Sequence, residues 1–471
     1  MADRDDQPGD ENSEEEFREM LRNLLSGGGG IDPSQLAGAA GLPNDPASVA
    51  ALFSQLQQAM NHADDGIDWS AALRQGEQRA ASGQVQITDD ERARLDQALQ
   101  VASLWLDEAV VFGRLPESPE LLTRRGWVAA TMPVWTQLAE PVALSIADAL
   151  TRVMREQAPE EMQSMIAGAS KLMRGIGGAM FAMQLGQVVG QLATEVVSGG
   201  DVGIPLQADG RAALIPQNVA EFGADLDIPS TEIELYLAVR ELAHARLFRH
   251  ARWLRLNLIS AITAYARGIQ IDTERLEQLA DGFDPANPTN TDELRRAVES
   301  GALISAKSDA QQDALARLET MLALIEGWVD LATADATSRL PKSDAIAETI
   351  RRRRATGGPA ESAFATLVGL ELRPRRMREA AAMWRAVTDA VGIERRDALW
   401  AHPDLLPTSA DLDDPSALIA RLTGGETATS EADDEFDQAL EALLRGETPA
   451  GPGEGGEAPD VPDADGGPKP V

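Results

Sequence analysis

Along most of the chain, apolar residues return every three or four positions, the repeat of an amphipathic or buried helix. That repeat, with abundant Ala and Leu, predicts helices near 13–25, 46–62, 68–82, 89–111, 138–156 and 159–197. Further helices are predicted near 231–248, 252–268, 309–336, 342–355, 375–391 and 414–423. Two-residue alternation is scarce. The best strand signal is Arg211–Ile215, preceded by the Asp209-Gly210 turn and stopped by Pro216. Gly199-Gly200 reads as the close of the long helix before it, and Asp281–Asn290 as an extended loop. The pattern predicts a mainly α fold, one large helical unit with a short β element near 204–215.

One stretch raises the question of a membrane. Gly175–Ala193 is uncharged and holds Gly186 and Gly190 in a G-x-x-x-G arrangement. It also carries Gln184, Gln187 and Gln191 along one face. A lipid-facing helix would leave those amides unsatisfied, so the stretch reads as a tightly packed helix and no membrane span is expected. The first 30 residues lack the basic start and apolar run of a secretory signal. With no cysteine in the chain, a cytoplasmic location is expected.

Charge divides the chain further. Of 471 residues, 76 are acidic and 42 basic, a net charge of -34. Residues 1–16 hold eight acids and one base, and the segment from Gly424 onward holds 13 acids and two bases. Both ends have too little apolar content to offset ordering entropy and are expected to be disordered acidic tails, 1–16 and 424–471. Between them, 17–115 is expected as an N-terminal helical region and 116–423 as the main helical domain. The acidic balance argues against a nucleic-acid partner, which needs a basic footprint. The absence of cysteine excludes disulfides, thiolate metal sites and a cysteine nucleophile.

Four histidines remain for site chemistry. His62 follows a predicted helix end, where the dipole favours it, and His402 sits in a Trp-Ala-His-Pro-Asp loop suited to local capping. His244 lies in Arg240-Glu241-Leu242-Ala243-His244 on a helix whose start, Thr231 with Glu234, has the form of a capping box. At about 100° per residue, Arg240 and His244 lie about 40° apart on that helix. The helix is apolar nearly all round, so it is expected to be buried, and its Glu and His must be paired or bound. Glu-x-x-His is the second half of the zinc-protease signature His-Glu-x-x-His, but the first ligand position holds Arg240, which stays protonated. On spacing alone the pair reads as a structural one. His250 stands ten residues after Arg240, the spacing of a third metzincin histidine, without the glycine turn that signature needs, and reads as a surface or helix-end residue. Arg351–Arg354, with Arg373, Arg375, Arg376 and Arg378, read as solvated helix faces and internal ion pairs.

Several segments together resemble a known family. They are Gly186-Gln187-Val188-Val189-Gly190, Asp201-Val202-Gly203-Ile204-Pro205-Leu206, Ile215-Pro216-Gln217-Asn218-Val219 and Arg240–Phe248. Ile325-Glu326-Gly327-Trp328-Val329-Asp330, Gly369–Arg373, Trp400–Pro407 and Asp411–Pro415 complete the set. In order and number they resemble the zincin-like metallopeptidase type 2 family over roughly 65–420. This is an actinobacterial group labelled hydrolase or zinc-dependent metalloprotease, one branch of which is associated with deazaflavin-coenzyme biosynthesis. The resemblance implies a zincin-like helical domain, zinc as cofactor and a peptide or protein substrate. It makes Glu241 the general base, His244 a metal ligand, and Glu326 the downstream ligand. Glu326 has a second role open to it, as a buried partner of Arg240. Two functions follow: a zinc metallohydrolase with a degenerate Arg-Glu-x-x-His, or a catalytically inactive zincin-fold protein with a structural or interaction role.

Overall fold

The computed structural model describes residues 67–157, 163–207, 210–269, 307–355 and 376–424. The expected helices at 13–25 and 46–62, His62, the 281–290 loop and both acidic tails lie outside the described residues. The chain divides into one compact unit through Pro415 and a second from Ser416, of which 416–424 is described and helical. The first unit is mainly α with a two-stranded sheet, as the periodicity predicts.

Helix α1 (Ser70–Ala80) and helix α2 (Asp89–Leu106) open the described chain. A capping box starts α2: Glu91 N donates to Thr88 Oγ1 at 3.2 Å and Thr88 N donates to Glu91 Oε2 at 2.9 Å. Strand β1 (Glu120–Leu121) leads into helix α3 (Arg124–Gln157). This helix starts 14 residues earlier than the expected 138. Pro133 and Pro141 lie inside it, each removing one backbone donor from the helix ladder. Helix α4 (Gln163–Leu192) ends before Gly199-Gly200. The two glycines therefore do not cap it; they form the turn that meets the sheet.

The glycine stripe of α4 explains its sequence. A Cβ at Gly186 would lie 2.3 Å from the Ala72 carbonyl oxygen, and one at Gly190 2.6 Å from the Gly76 carbonyl oxygen. The stripe faces α1, and only glycine permits that backbone approach. Among the described residues no helix is long and apolar enough to cross a membrane.

Strand β2 (Ala213–Leu214) pairs parallel with β1, Glu120 opposite Ala213 and Leu121 opposite Leu214. Ser198 bridges Leu214 on its other side in antiparallel sense. Helix α5 (Pro216–Gly223) follows, with proline at its first position, and then helices α6 (Ser230–His250) and α7 (Trp253–Arg267). The capping box expected at Thr231 does not form. Pro229 is the cap residue without a side-chain bond, and Glu234 instead pairs with Arg94 on α2 at 3.5 Å. Helix α8 (Asp309–Ala336), α9 (Ser343–Ala355), α10 (Met377–Ala398) and α11 (Ser409–Asp413) complete the first unit. Gly392, at φ +81°, breaks α10 into two helical pieces.

α6 packs on α2 and α8, and α8 packs on α7 and α10. Every residue of α6 from Tyr236 to Leu247 is buried, which accounts for its lack of a polar face. Below it lies a cluster of buried tryptophans. Trp384 and Trp400 stack at 5.6 Å, and Trp328 meets Trp400 edge-on at 6.5 Å.

Candidate metal centre

Glu326 on α8 sits where the resemblance places a metal ligand, and all its contacts are with donors. Its carboxylate is 1% exposed. Arg240 Nη2 donates to Oε2 at 2.5 Å, Arg354 Nη1 approaches Oε1 at 2.9 Å, and His244 Nε2 lies 3.2 Å from the same oxygen. Burial raises the cost of its charge, but Arg354 and Arg240 outweigh it and hold the carboxyl well below its ordinary pKa. The structure thus brings together three of the sequence-predicted residues, Arg240, His244 and Glu326.

His244 is wholly buried. Its Nδ1 lies 3.1 Å from the Arg240 carbonyl oxygen, one helical turn back, while Nε2 faces Glu326. Both ring nitrogens face acceptors. Burial lowers its pKa, and the attraction of Glu326 does not restore it. The ring is therefore neutral at neutral pH, so it donates to one acceptor and merely approaches the other.

Arg354, on α9, is the residue that sequence reasoning did not place. It links Glu326 to Asp201, donating from Nη2 to the Asp201 carbonyl oxygen at 2.6 Å and lying 3.6 Å from its carboxylate. Arg353 stands 3.4 Å from the same carboxylate, and Val197 N donates to it at 3.0 Å. Burial works against ionisation of Asp201, but Arg353 and Arg354 keep its pKa low. The available signal was spacing: Ile346, Ala347 and Ile350 mark the buried face of α9, and Arg351 and Arg354 continue it. Arg351 follows the same logic and grips Asp330 at 2.8 Å, while Arg352 alone of the run is exposed, paired with Glu348. The run combines a solvated pair at Arg352 with inward ion pairs at Arg351, Arg353 and Arg354.

Glu241 points to a different neighbourhood. Its Oε2 accepts from Gly200 N and its Oε1 from Ala213 N, both at 2.8 Å, and Ser198 adds a side-chain bond. The carboxylate ties α6 to β2 and to the Gly199-Gly200 turn. Burial pushes its pKa up to about 7 despite those three hydrogen bonds. The turn is glycine because of contact: a Cβ at Gly200 would lie 2.6 Å from His244 Cβ. Gly203, at φ +83°, approaches Glu326 in the same way, a Cβ there falling 2.5 Å from Oε1.

His250 is not among the partners of Glu326. It is exposed at the end of α6 and stacks on Phe112 with centroids 4.2 Å apart. His402 caps the short 3-10 turn Pro403–Leu405, accepting from Asp404 N at 3.3 Å.

A zinc site needs three or four ligands with free lone pairs. Among the described residues no group of three or more His, Asp or Glu could hold a metal. Of the two nearest ligand types, Glu326 is held by two guanidinium groups, and His244 has both ring nitrogens facing the Arg240 carbonyl oxygen and Glu326. Arg240 Nε is itself buried with no hydrogen-bond partner, so the guanidinium is fixed by Glu326. The residues present do not fit zinc.

The comparisons with known proteins agree with the architecture. The family model described as zincin-like metallopeptidase matches residues 67–419. A crystal structure described as "a putative hydrolase with a novel fold", from Chloroflexus aurantiacus, is similar over 76% of this chain and 99% of that one. Its TM-score is 0.51 at 20% identity, a likeness of fold. No curated protein sequence matches.

Proposed function

We propose that this chain, which belongs to the zincin-like metallopeptidase family, keeps the zincin-like scaffold without zinc chemistry and serves as a binding protein. The observation that carries this reading is the Arg240–Glu326 pair at 2.5 Å. A guanidinium occupies the first ligand position and neutralises the carboxylate that a metal would need. Glu241, the general base of the family signature, holds two backbone amides of the sheet and turn instead of a metal-bound water. A peptide or protein partner, which the family implies, is then bound and not cleaved.

Elemental analysis of tag-free protein tests this. The native chain is expected to hold no stoichiometric zinc and to cleave no peptide after zinc addition. About one zinc per chain, lost in His244→Ala, would overturn the reading and restore the metallohydrolase. A second variant makes the scaffold informative. Arg240→His alone leaves Arg354 on Glu326, so the double variant Arg240→His with Arg354→Gln is the one expected to gain zinc.

A further inference from the structure

Helix α4 carries an apolar side that its neighbours leave open. α1 and α3 pack on α4 and on each other. Ala182, Leu185, Gly186 and Val189 mark the buried side of α4. At about 100° per residue, Met180 lies about 170° and Met183 about 110° from the centre of that side. Both stand at the surface, Met180 56% and Met183 47% exposed. They end a longer pattern in the sequence of this helix. Met165, Ala169, Leu172, Ile176, Ala179 and Met183 alternate steps of four and three, and an apolar residue follows every second one from Met165. That is the seam of a helix packed against another helix.

A segment with the same pattern stands just upstream of the described chain. Val49, Leu52, Leu56 and Ala59 take steps of three, four and three, with Phe53 after Leu52 and Met60 after Ala59. Pro46–His62 holds no Asp, Glu, Lys or Arg, in a chain with 76 acids and 42 bases. As a helix its 17 residues would be about 25 Å long, and the seam from Met165 to Met183 runs about 27 Å. The tether between the two is short. Ile67 lies against α4, where a Cβ at Gly178 would fall 3.0 Å from Ile67 Cγ1. The link from His62 to Ile67 reaches up to about 18 Å, enough to round a helix about 10 Å wide. A tether of that length gives an effective concentration on the order of millimolar. The family match begins at residue 67, so the segment stands outside the matched domain.

We propose that residues 46–62 dock in cis, as a helix, on the Met180 and Met183 side of α4. The segment then completes a four-helix bundle with α1, α3 and α4. Its lack of charge follows, because a charge set against an apolar seam would be desolvated without a partner. A second copy of the chain is the competing occupant, and its binding would depend on protein concentration. None of the α4 residues belongs to the buried cluster around Glu326, so this inference stands or falls apart from the metal question.

The test is cysteine labelling in the full chain, which has no native cysteine. Met183→Cys is expected to react with a maleimide about tenfold more slowly than the same substitution combined with Leu52→Asp and Leu56→Asp. That protection is expected to be equal at about 1 μM and about 100 μM protein. Leu256→Cys, at a 72% exposed position on α7, is the control and is expected to react alike in both backgrounds. A benzophenone attached through the Met183→Cys thiol is expected to cross-link to residues 46–62 of the same chain, which reads the contact without a disruptive substitution. Equal labelling rates with and without the two aspartates overturn the proposal. So does protection that fades on dilution, which would place a second copy on α4. Cross-links confined to other segments overturn it as well.

Discussion

Separating Arg240 from Glu326 in a double-mutant cycle measures whether the ion pair holds the fold where a metal otherwise would. Both side chains are almost fully buried, 5% and 1% exposed. Arg240→Met removes one donor, and Glu326 then keeps Arg354 and His244. Breaking a buried pair costs about 3–5 kcal/mol, and the remaining donors place this variant near about 3 kcal/mol. Glu326→Gln leaves Arg240 without a carboxylate, while Arg354 retains Asp201, so about 4–5 kcal/mol is expected. The double variant leaves neither charge stranded. It is expected to cost about 5 kcal/mol, well below the sum, a coupling of about 2–3 kcal/mol. Glu326 has its pKa depressed in the folded protein. Its contribution is therefore complete above its unfolded value of about 4.5 and is lost as pH falls through the folded value. The cycle is best run at pH 8, by urea unfolding followed through the buried tryptophans. Additive costs, or a single-variant cost below about 1 kcal/mol, would refute the ion-pair account.

Further outcomes follow from the same packing. Glu241 has a folded pKa raised to about 7, so its contribution is complete below its unfolded value and is lost as pH rises toward 7. Glu241→Gln should therefore cost more at pH 5 than at pH 8, by up to about 3 kcal/mol; a pH-independent difference in urea midpoints would count against it. His244 acts in the opposite direction, losing stability as pH falls below about 6.5, and comparison with the Gln variant cancels it. Gly200→Ala should destabilise by about 1–3 kcal/mol through its clash with His244, whereas Gly113→Ala, with open space around it, should be near neutral in thermal melts. Asp397→Ala strands Arg396 and the Trp328 indole N–H, both held by Oδ1 at 2.7 and 2.9 Å, and should cost about 3–5 kcal/mol. A thermal midpoint within a degree of the native protein would contradict that role.

Local chemistry made α6 and α8 legible, because their burial is written in nearly continuous apolar sequence around a few charges. The same reading singled out Arg240, Glu241 and His244; Glu326 came from the family resemblance, with the ion pair to Arg240 that the structure forms as its second role. What escaped it depended on partners distant in sequence. Arg354 meets Glu326 only once α9 folds back over α8, and no local pattern names that carboxylate. Glu241 meets amides of Gly200 and Ala213, and a backbone donor leaves no mark on residue identity. The Thr231 capping box does not form because the helix begins at Ser230 with Pro229 as its cap residue, which places Thr231 inside the first turn. Helix α3 extends 14 residues upstream of the expected 138 and carries Pro133 and Pro141 within it.

Charge balance explains why the proposed loss of zinc leaves a stable scaffold. A divalent ion beside His244 and Glu326 supplies two positive charges and fixes both ligands to one point. Here Arg240 and Arg354 supply two positive charges from two helices, α6 and α9, and converge on the same carboxylate. They have what the ion lacks, covalent anchorage in elements that pack on α8. The exchange is therefore coupled. Restoring histidine at 240 leaves one guanidinium on Glu326, where it opposes any cation by several kcal/mol at close range, on the order of Coulomb estimates. Removing Arg354 alone leaves Arg240 in the ligand position. Only the two changes together are expected to free the Glu326 carboxylate from both guanidinium groups.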